Sequence, residues 1–321
     1  MKRRMLLYAL LALAMTLTAC GGVAATPEAT QAPASDSSPQ KGGEMIVAYK
    51  DDLATLDPAI GYDWTNWPAI KMVFDGLLDY DSGTTLQPRI AEALPQVSAD
   101  GLTYTFKIRK GVKFHNGREL VADDVVYSIT RVLDPKTASP GAGFFLGIKG
   151  AQEFVDGKAT AVEGIKALDP NTVEFTLTAP DVTFLNKMAI NFAYIVPKEE
   201  VEKAGENFGH APVGTGPYKL TSWTAGQQLV FERNPDYFFE GRPFIDKITV
   251  KVGIEPDVAL LQLEKGEIQL MVIHLREQTG PASRVIRPGK IASRSSRLLI
   301  LHTSQLTSTR NRLTMSRSAR R

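Results

Sequence analysis

The chain has 321 residues, 43% of them hydrophobic, with 37 basic and 35 acidic side chains and a net charge of +2. That apolar content excludes a disordered or collagen-like chain, and a single cysteine excludes a disulfide framework or a cysteine-based zinc cluster. The near-neutral charge is a cancellation, because residues 1–272 carry 26 − 34 = −8 and residues 273–321 carry 11 − 1 = +10.

Lys2, Arg3 and Arg4 precede an apolar run over residues 5–16. The run is shorter than the ~20 residues of a spanning helix, so residues 1–19 read as a secretory signal peptide. Leu17-Thr18-Ala19-Cys20 resembles the lipobox of bacterial lipoproteins. That resemblance implies cleavage before Cys20 and a lipid on its sulfur; the alternative is an incidental cysteine. Residues 21–43 are mostly Gly, Ala, Ser, Thr, Pro and Gln, with only Val23 as a larger aliphatic residue. Such a segment is expected to be a flexible tether with a typical span of roughly 25 Å. Residues 20–43 are therefore expected to be anchor and linker.

Residues 44–272 are expected to form the folded body. A short strand is predicted over 45–49, then a loop over 51–63. Ile70, Val73, Phe74, Leu77 and Leu78 have the spacing of an amphipathic helix, with Thr65 or Asn66 as its cap and Pro68 in its first turn. Strict alternation predicts strands over 103–108, 172–178 and 245–252. Helical spacing returns over 122–133, ended by Asp134-Pro135, and over 257–265, ended by Gly266, with a strand over 268–272. Strands alternating with helices, with some hairpins, give an α/β class and no repeat period.

Catalytic patterns are sparse. The chain has no phosphate-loop, nucleophile-elbow or His-Glu-x-x-His motif, so no catalytic residue, metal site or cofactor is expected. Neither Gly214-Thr215-Gly216 nor the glycine-rich 141–147 has the context of a phosphate cradle. His115 sits in a His115-Asn116-Gly117 turn, and His210 in a loop; each is expected on a surface turn rather than on a metal. The candidate ligand-binding residues are loop aromatics: Tyr62, Trp64 and Trp67 before the first strong helix, and Phe144 and Phe145 in a glycine-flanked loop. They either wall a cleft or pack as satellite core.

Three stretches together carry a family resemblance. One runs from Ser98 through the Asp100-Gly101 turn to His115-Asn116-Gly117 and on into Ala122-Asp123-Asp124-Val125-Val126-Tyr127-Ser128. Another is Pro212-Val213-Gly214-Thr215-Gly216-Pro217-Tyr218-Lys219-Leu220, followed by Glu232-Arg233-Asn234-Pro235-Asp236-Tyr237. The third is Leu56-Asp57-Pro58 with Phe74-Asp75-Gly76-Leu77-Leu78 after it. In this order, behind a lipobox, they resemble the peptide/dipeptide/nickel class, family 5, of solute-binding proteins of ABC importers. The resemblance covers about residues 44–272. It implies a type II periplasmic-binding-protein-like fold with a mixed sheet and flanking helices. It also implies a clamshell that closes on a peptide or related small solute and hands it to ABC permease subunits.

The motif residues read mainly as scaffold. Gly101, Gly111 and Gly117 supply turns, Asp123 and Asp124 put negative charge at a helix N-terminus, and Gly214, Gly216 and Pro217 let a strand leave a loop sharply. Val121 departs from the family's Ser or Thr cap, an expected loss of about 1 kcal/mol.

After Leu270-Met271 the family's pattern is expected to continue into a second lobe. Residues 273–321 instead hold ten arginines, one lysine and no aromatic residue. A reading-frame shift, a basic tail that contacts anionic lipid or nucleic acid, and a folded ending are the alternatives; the first is preferred. On that expectation the chain is one lobe with its second lobe missing, and impaired in binding. The expected protein is an exported, monomeric, membrane-anchored lipoprotein at the periplasmic or extracellular face, with no nucleic-acid partner. An exported hydrolase reusing the fold, or a protein acting through the basic tail, are the other function classes.

Overall fold

Alternating residues at 103–108 are buried because their neighbours alternate in the same phase. The computed structural model describes residues 41–63 and 65–272. In it Tyr104 lies opposite Phe175 and Phe106 opposite Val173, so the apolar faces of two strands coincide. In chain order the elements are β1 (Glu44–Tyr49), α1 (Asn66–Val73), β2 (Leu78–Tyr80), β3 (Leu86–Pro88), β4 (Gln96–Val97), β5 (Thr103–Lys107) and α2 (Ala122–Leu133). Then follow α3 (Ala151–Val155), β6 (Ile165–Asp169), β7 (Thr172–Thr176), α4 (Phe184–Lys187) and α5 (Lys198–Ala204). The last are β8 (Tyr218–Thr224), β9 (Gln228–Arg233), β10 (Lys247–Lys251), α6 (Pro256–Lys265) and β11 (Leu270–Val272).

Two sheets organise these residues, with a β2–β3 ribbon beside them. The four-stranded sheet, in order β4-β5-β7-β6, is wholly antiparallel. Helix α2 lies across β6 and β7. Its Val125, Ile129, Val132 and Leu133 join Phe106, Phe175 and Ile148 in the larger core.

The five-stranded sheet, in order β11-β1-β10-β9-β8, is mixed. β1 runs parallel to both β10 and β11, whereas β10, β9 and β8 form an antiparallel meander. Phe74, Phe208, Leu229, Phe231 and Val250 fill its core. On α6, Ala259 and Leu263 pack with Ala48, Ile268 and Met271. Gly266 ends α6 in the left-handed region, φ 76°, as its sequence position predicts. The α/β class, the mixed sheet and the flanking helices are those expected. Among the described residues no helix is long and apolar enough to cross a membrane.

Three expectations need correcting. Helix α1 stops at Val73, and Phe74 is extended although its spacing continues the helical stripe. The Val73 carbonyl is taken by the Gly216 amide at 2.8 Å, and the Asp75 carbonyl accepts from Ile195. Tertiary partners thus replace the next helical turn, and Leu77 and Leu78 reach the core from extended backbone instead.

Thr65, one of the two residues expected, is the N-cap of α1, but its side chain makes no capping hydrogen bond. Asp63 accepts from the Thr65 and Asn66 amides at 2.8 and 2.7 Å, and from the Asn66 side chain at 2.8 Å.

The glycines at 214 and 216 serve close approach. A Cβ on Gly216 would lie 2.4 Å from the Val73 carbonyl carbon, and one on Gly214 would lie 2.1 Å from the Val73 oxygen. The turn role does hold for Gly101, Gly111 and Gly117, all at positive φ.

The start of α2 keeps half of a capping box. The Val121 amide donates to Asp124 Oδ2 at 2.9 Å. The return bond is missing because valine has no oxygen, and the Asp124 amide reaches only the Val121 backbone carbonyl, at 3.0 Å. The Asp124 carboxylate also holds Arg118, at 2.6 and 3.0 Å, and Arg118 in turn grips Glu199 on α5 at 2.6 Å. These paired acids push the Arg118 pKa up, Asp124 foremost.

Candidate functional site

Leu56-Asp57-Pro58 begins the loop that carries the first candidate aromatics. Asp57 is buried, and its carboxylate meets the Arg131 guanidinium of α2 through two hydrogen bonds, at 2.8 and 2.5 Å. The same carboxylate accepts from the Ala59 amide at 3.0 Å, and the Asp57 carbonyl accepts from Gly61 at 2.8 Å. Trp67, on the first turn of α1, donates its indole N–H to the Gly61 carbonyl at 3.2 Å. With Asp63 bonded to the Thr65 and Asn66 amides at the start of α1, Tyr62 is fixed between two anchored points.

Phe144 and Phe145 occupy a short 3-10 turn and part company there. Phe145 is 1% exposed and belongs to the larger core, so it does not line a surface; Phe144 is 39% exposed. Consecutive residues leaving a tight turn point apart, which decides the matter.

Tyr62 and Phe144 meet on a residue that the sequence reading did not single out. Phe192 is 1% exposed. Tyr62 stacks on it with ring centroids 5.5 Å apart and planes 26° apart, and Phe144 does so at 5.9 Å and 25°. Trp67 meets Tyr62 edge-on at 5.9 Å. A Cβ on Gly141 would lie 2.3 Å from the Phe192 ring, so only glycine lets that backbone lie against it. Phe192 sits in an apolar run without period, residues 188–196, and no local signal separates it from ordinary core. Trp64 and Cys20 lie outside the described residues, as do His274, His302 and the basic tail.

A buried ionic cluster lies elsewhere, where β2 and β3 meet residues 194 and 237. Arg89 Nε lies 3.6 Å from Asp75 Oδ1 and 3.3 Å from Asp79 Oδ2, while Lys71 holds Asp79 at 2.7 Å. The Tyr237 hydroxyl donates to Asp75 at 3.3 Å, and Asp75 Oδ2 has no partner. Burial, only partly offset by Arg89, pushes the Asp75 carboxyl up to about 6.

His115 does occupy a turn, yet its ring is largely enclosed rather than free at the surface. Its Nε2 lies 3.0 Å from the Gly216 carbonyl, and the Gly214 amide donates to its Nδ1 at 3.4 Å. That pairing places the proton on Nε2 in a neutral ring. Burial pushes its pKa down to about 4. It joins two of the stretches that carried the family resemblance. His210 stacks on Trp223 at 4.6 Å. No group of three or more metal-ligating side chains occurs among the described residues. The aromatic stack offers flat apolar surface and no acid–base pair.

Comparison with known proteins bears on this geometry. Residues 85–286 match the family described as bacterial extracellular solute-binding proteins, family 5 Middle, a match that runs past Val272. The oligopeptide-binding protein AppA of Bacillus subtilis is 31% identical over 282 residues, covering 84% of this chain and 48% of its own. Di/tripeptide-binding protein 4 of Pseudomonas aeruginosa is 35% identical over 217 residues, covering 62% of this chain and 39% of its own. Among solved structures, Haemophilus influenzae OppA in complex with RPPGFSPFR superposes with a TM-score of 0.68 at 27% identity, over 72% of this chain and 46% of that one. Burkholderia pseudomallei OppA gives 0.67 at 28% identity, over 72% and 46%. The chain spans less than half the length of each of these relatives. With its mixed sheet and its motif stretches packed together, the chain belongs to family 5 of the bacterial extracellular solute-binding proteins.

Proposed function

We propose that this chain acts as the peptide-class solute-binding component of an ABC importer and delivers its ligand to permease subunits in the membrane. Membership of the solute-binding family supports the reading, as do the peptide-binding relatives. The observation that carries it is the aromatic stack. Tyr62 is 58% exposed, yet it is fixed on a buried ring, an arrangement that serves contact with a solute better than it serves folding. Tyr62, Trp67 and Phe144, with Trp64 from the same loop, are the proposed contact residues. The role is binding rather than bond-breaking, since the stack carries no nucleophile or base.

The proposed organisation is a signal peptide over 1–19 and an anchor and linker over 20–43. The solute-binding body follows over 44–272, with a separate Arg-rich segment over 273–321. Lipid on Cys20 would tether a monomer to the periplasmic or extracellular face of the cell membrane. The proposed contact surface is the aromatic stack alone, so the expected affinity is weak, about millimolar. Calorimetric titration of residues 20–321 with a mixture of short peptides tests this. Weak saturable heat is expected; no binding at all would overturn the function, and nanomolar binding would overturn the account of the stack as the whole contact surface.

A further inference from the structure

We propose that the Tyr62–Phe192–Phe144 stack makes this chain select solutes that carry an aromatic side chain. The inference rests on the solute-binding reading above and names what that site prefers. Among the described residues nine large hydrophobic side chains are exposed. Two of them, Tyr62 and Phe144, are aromatic, and both lie against the same buried ring. Ile60, 45% exposed, is two residues from Tyr62. The other six, among them Leu94 and Val182, are aliphatic and come from other stretches of the chain.

A ring that merely covers core is turned inward, as Phe145 is. These two rings are held at fixed tilts with much of their area in water, and Trp67 braces Tyr62 from its edge. Their rotamer freedom is therefore already spent before a ligand arrives. A flat ring laid on such a surface gains the quadrupole-matched contact of offset stacking on top of buried area. A saturated ring of the same bulk gains the area alone. Gly141 keeps the arrangement possible, because any side chain there would displace Phe192.

The test is an NMR titration of the full chain with the tripeptide Gly-Phe-Gly and with its analogue in which cyclohexylalanine replaces phenylalanine. The phenyl peptide is expected to bind about two- to tenfold more tightly. Its ring protons should move upfield under the ring currents of the stack. The double variant Tyr62→Leu, Phe144→Leu should lose both the preference and the shift, while Leu94→Ala keeps both; thermal melting of each confirms the fold. Equal affinity for the two peptides would overturn the aromatic preference and leave solute binding standing. Failure of both peptides to bind would overturn the two together.

Discussion

The two sheets are built by different rules from the same chain. The four-stranded sheet draws its strands from one stretch, residues 96–176, all in antiparallel register. The five-stranded sheet joins residues 44–49 to residues 218–272 and sets its central strands parallel. One face of β5 is apolar and the other polar, whereas β10 buries Ile248, Thr249 and Val250 in succession. A strand with one buried face announces itself by alternation; a strand buried on both faces depends on the rest of the molecule.

The largest test of this contrast is a pair of core truncations. Phe106→Ala in the antiparallel sheet and Phe231→Ala in the mixed sheet each remove a ring that is 0% exposed. Each should cost about 3–5 kcal/mol. Urea unfolding followed by tryptophan fluorescence and by far-ultraviolet circular dichroism should give one shared transition in both variants. The His115 and Arg118 contacts tie the regions together. Separate midpoints would show that the two sheets unfold independently.

Legibility follows the same division. Helix α2 falls on residues 122–133 as its spacing predicts, and β5 and β7 match their alternation to within two residues. Those elements face one core each, so period and burial agree. The end of α1 was illegible, because Phe74, Leu77 and Leu78 keep a helical spacing while the Gly216 amide occupies the carbonyl that a longer helix would use. The strand order of the mixed sheet is likewise absent from any local window. At the candidate site Tyr62 and Phe144 were legible as loop aromatics, but the ring that unites them, Phe192, was not. Phe145 looked the same as Phe144 in sequence; only the turn geometry separates them.

Acid should act on two buried groups, the His115 bridge between the regions and the Asp75 cluster, in opposite senses. His115 is held near 4 in the folded chain against about 6.5 when unfolded. The unfolded state takes up the proton first, so stability is lost as pH falls from about 6.5 to 4. Asp75 is held near 6 against about 4 unfolded. There the folded state takes up the proton first, so its contribution rises as pH falls from about 6 to 4 and is lost as pH climbs back. Each effect is about 3 kcal/mol, so they largely cancel in the native chain. Relative to the native chain, Asp75→Asn should lose stability more steeply between pH 6.5 and 4. His115→Gln should lose it less steeply. Urea midpoints at half-unit steps of pH would show this; parallel profiles for both variants would refute it.

The smallest expected effect is at the start of α2. Val121→Thr supplies the hydroxyl that the Asp124 amide lacks and completes the capping box. A gain of about 0.5–1 kcal/mol is expected in the urea midpoint. No gain would mean that the Asp124–Arg118 pair already fixes this end of the helix.

Strand β1 is synthesised first and paired last. The bonds that seat it, Gly43 to Asp246 and Ile46 to Gln269, span 203 and 223 residues. At about 5–20 residues per second, the nascent chain carries an unpartnered apolar strand for tens of seconds before either flank exists. Both edges of Met45-Ile46-Val47-Ala48-Tyr49 stay open to foreign strands throughout that interval. A change at β10 or β11 that barely alters the finished sheet can therefore still lengthen the time for which these five residues lie open.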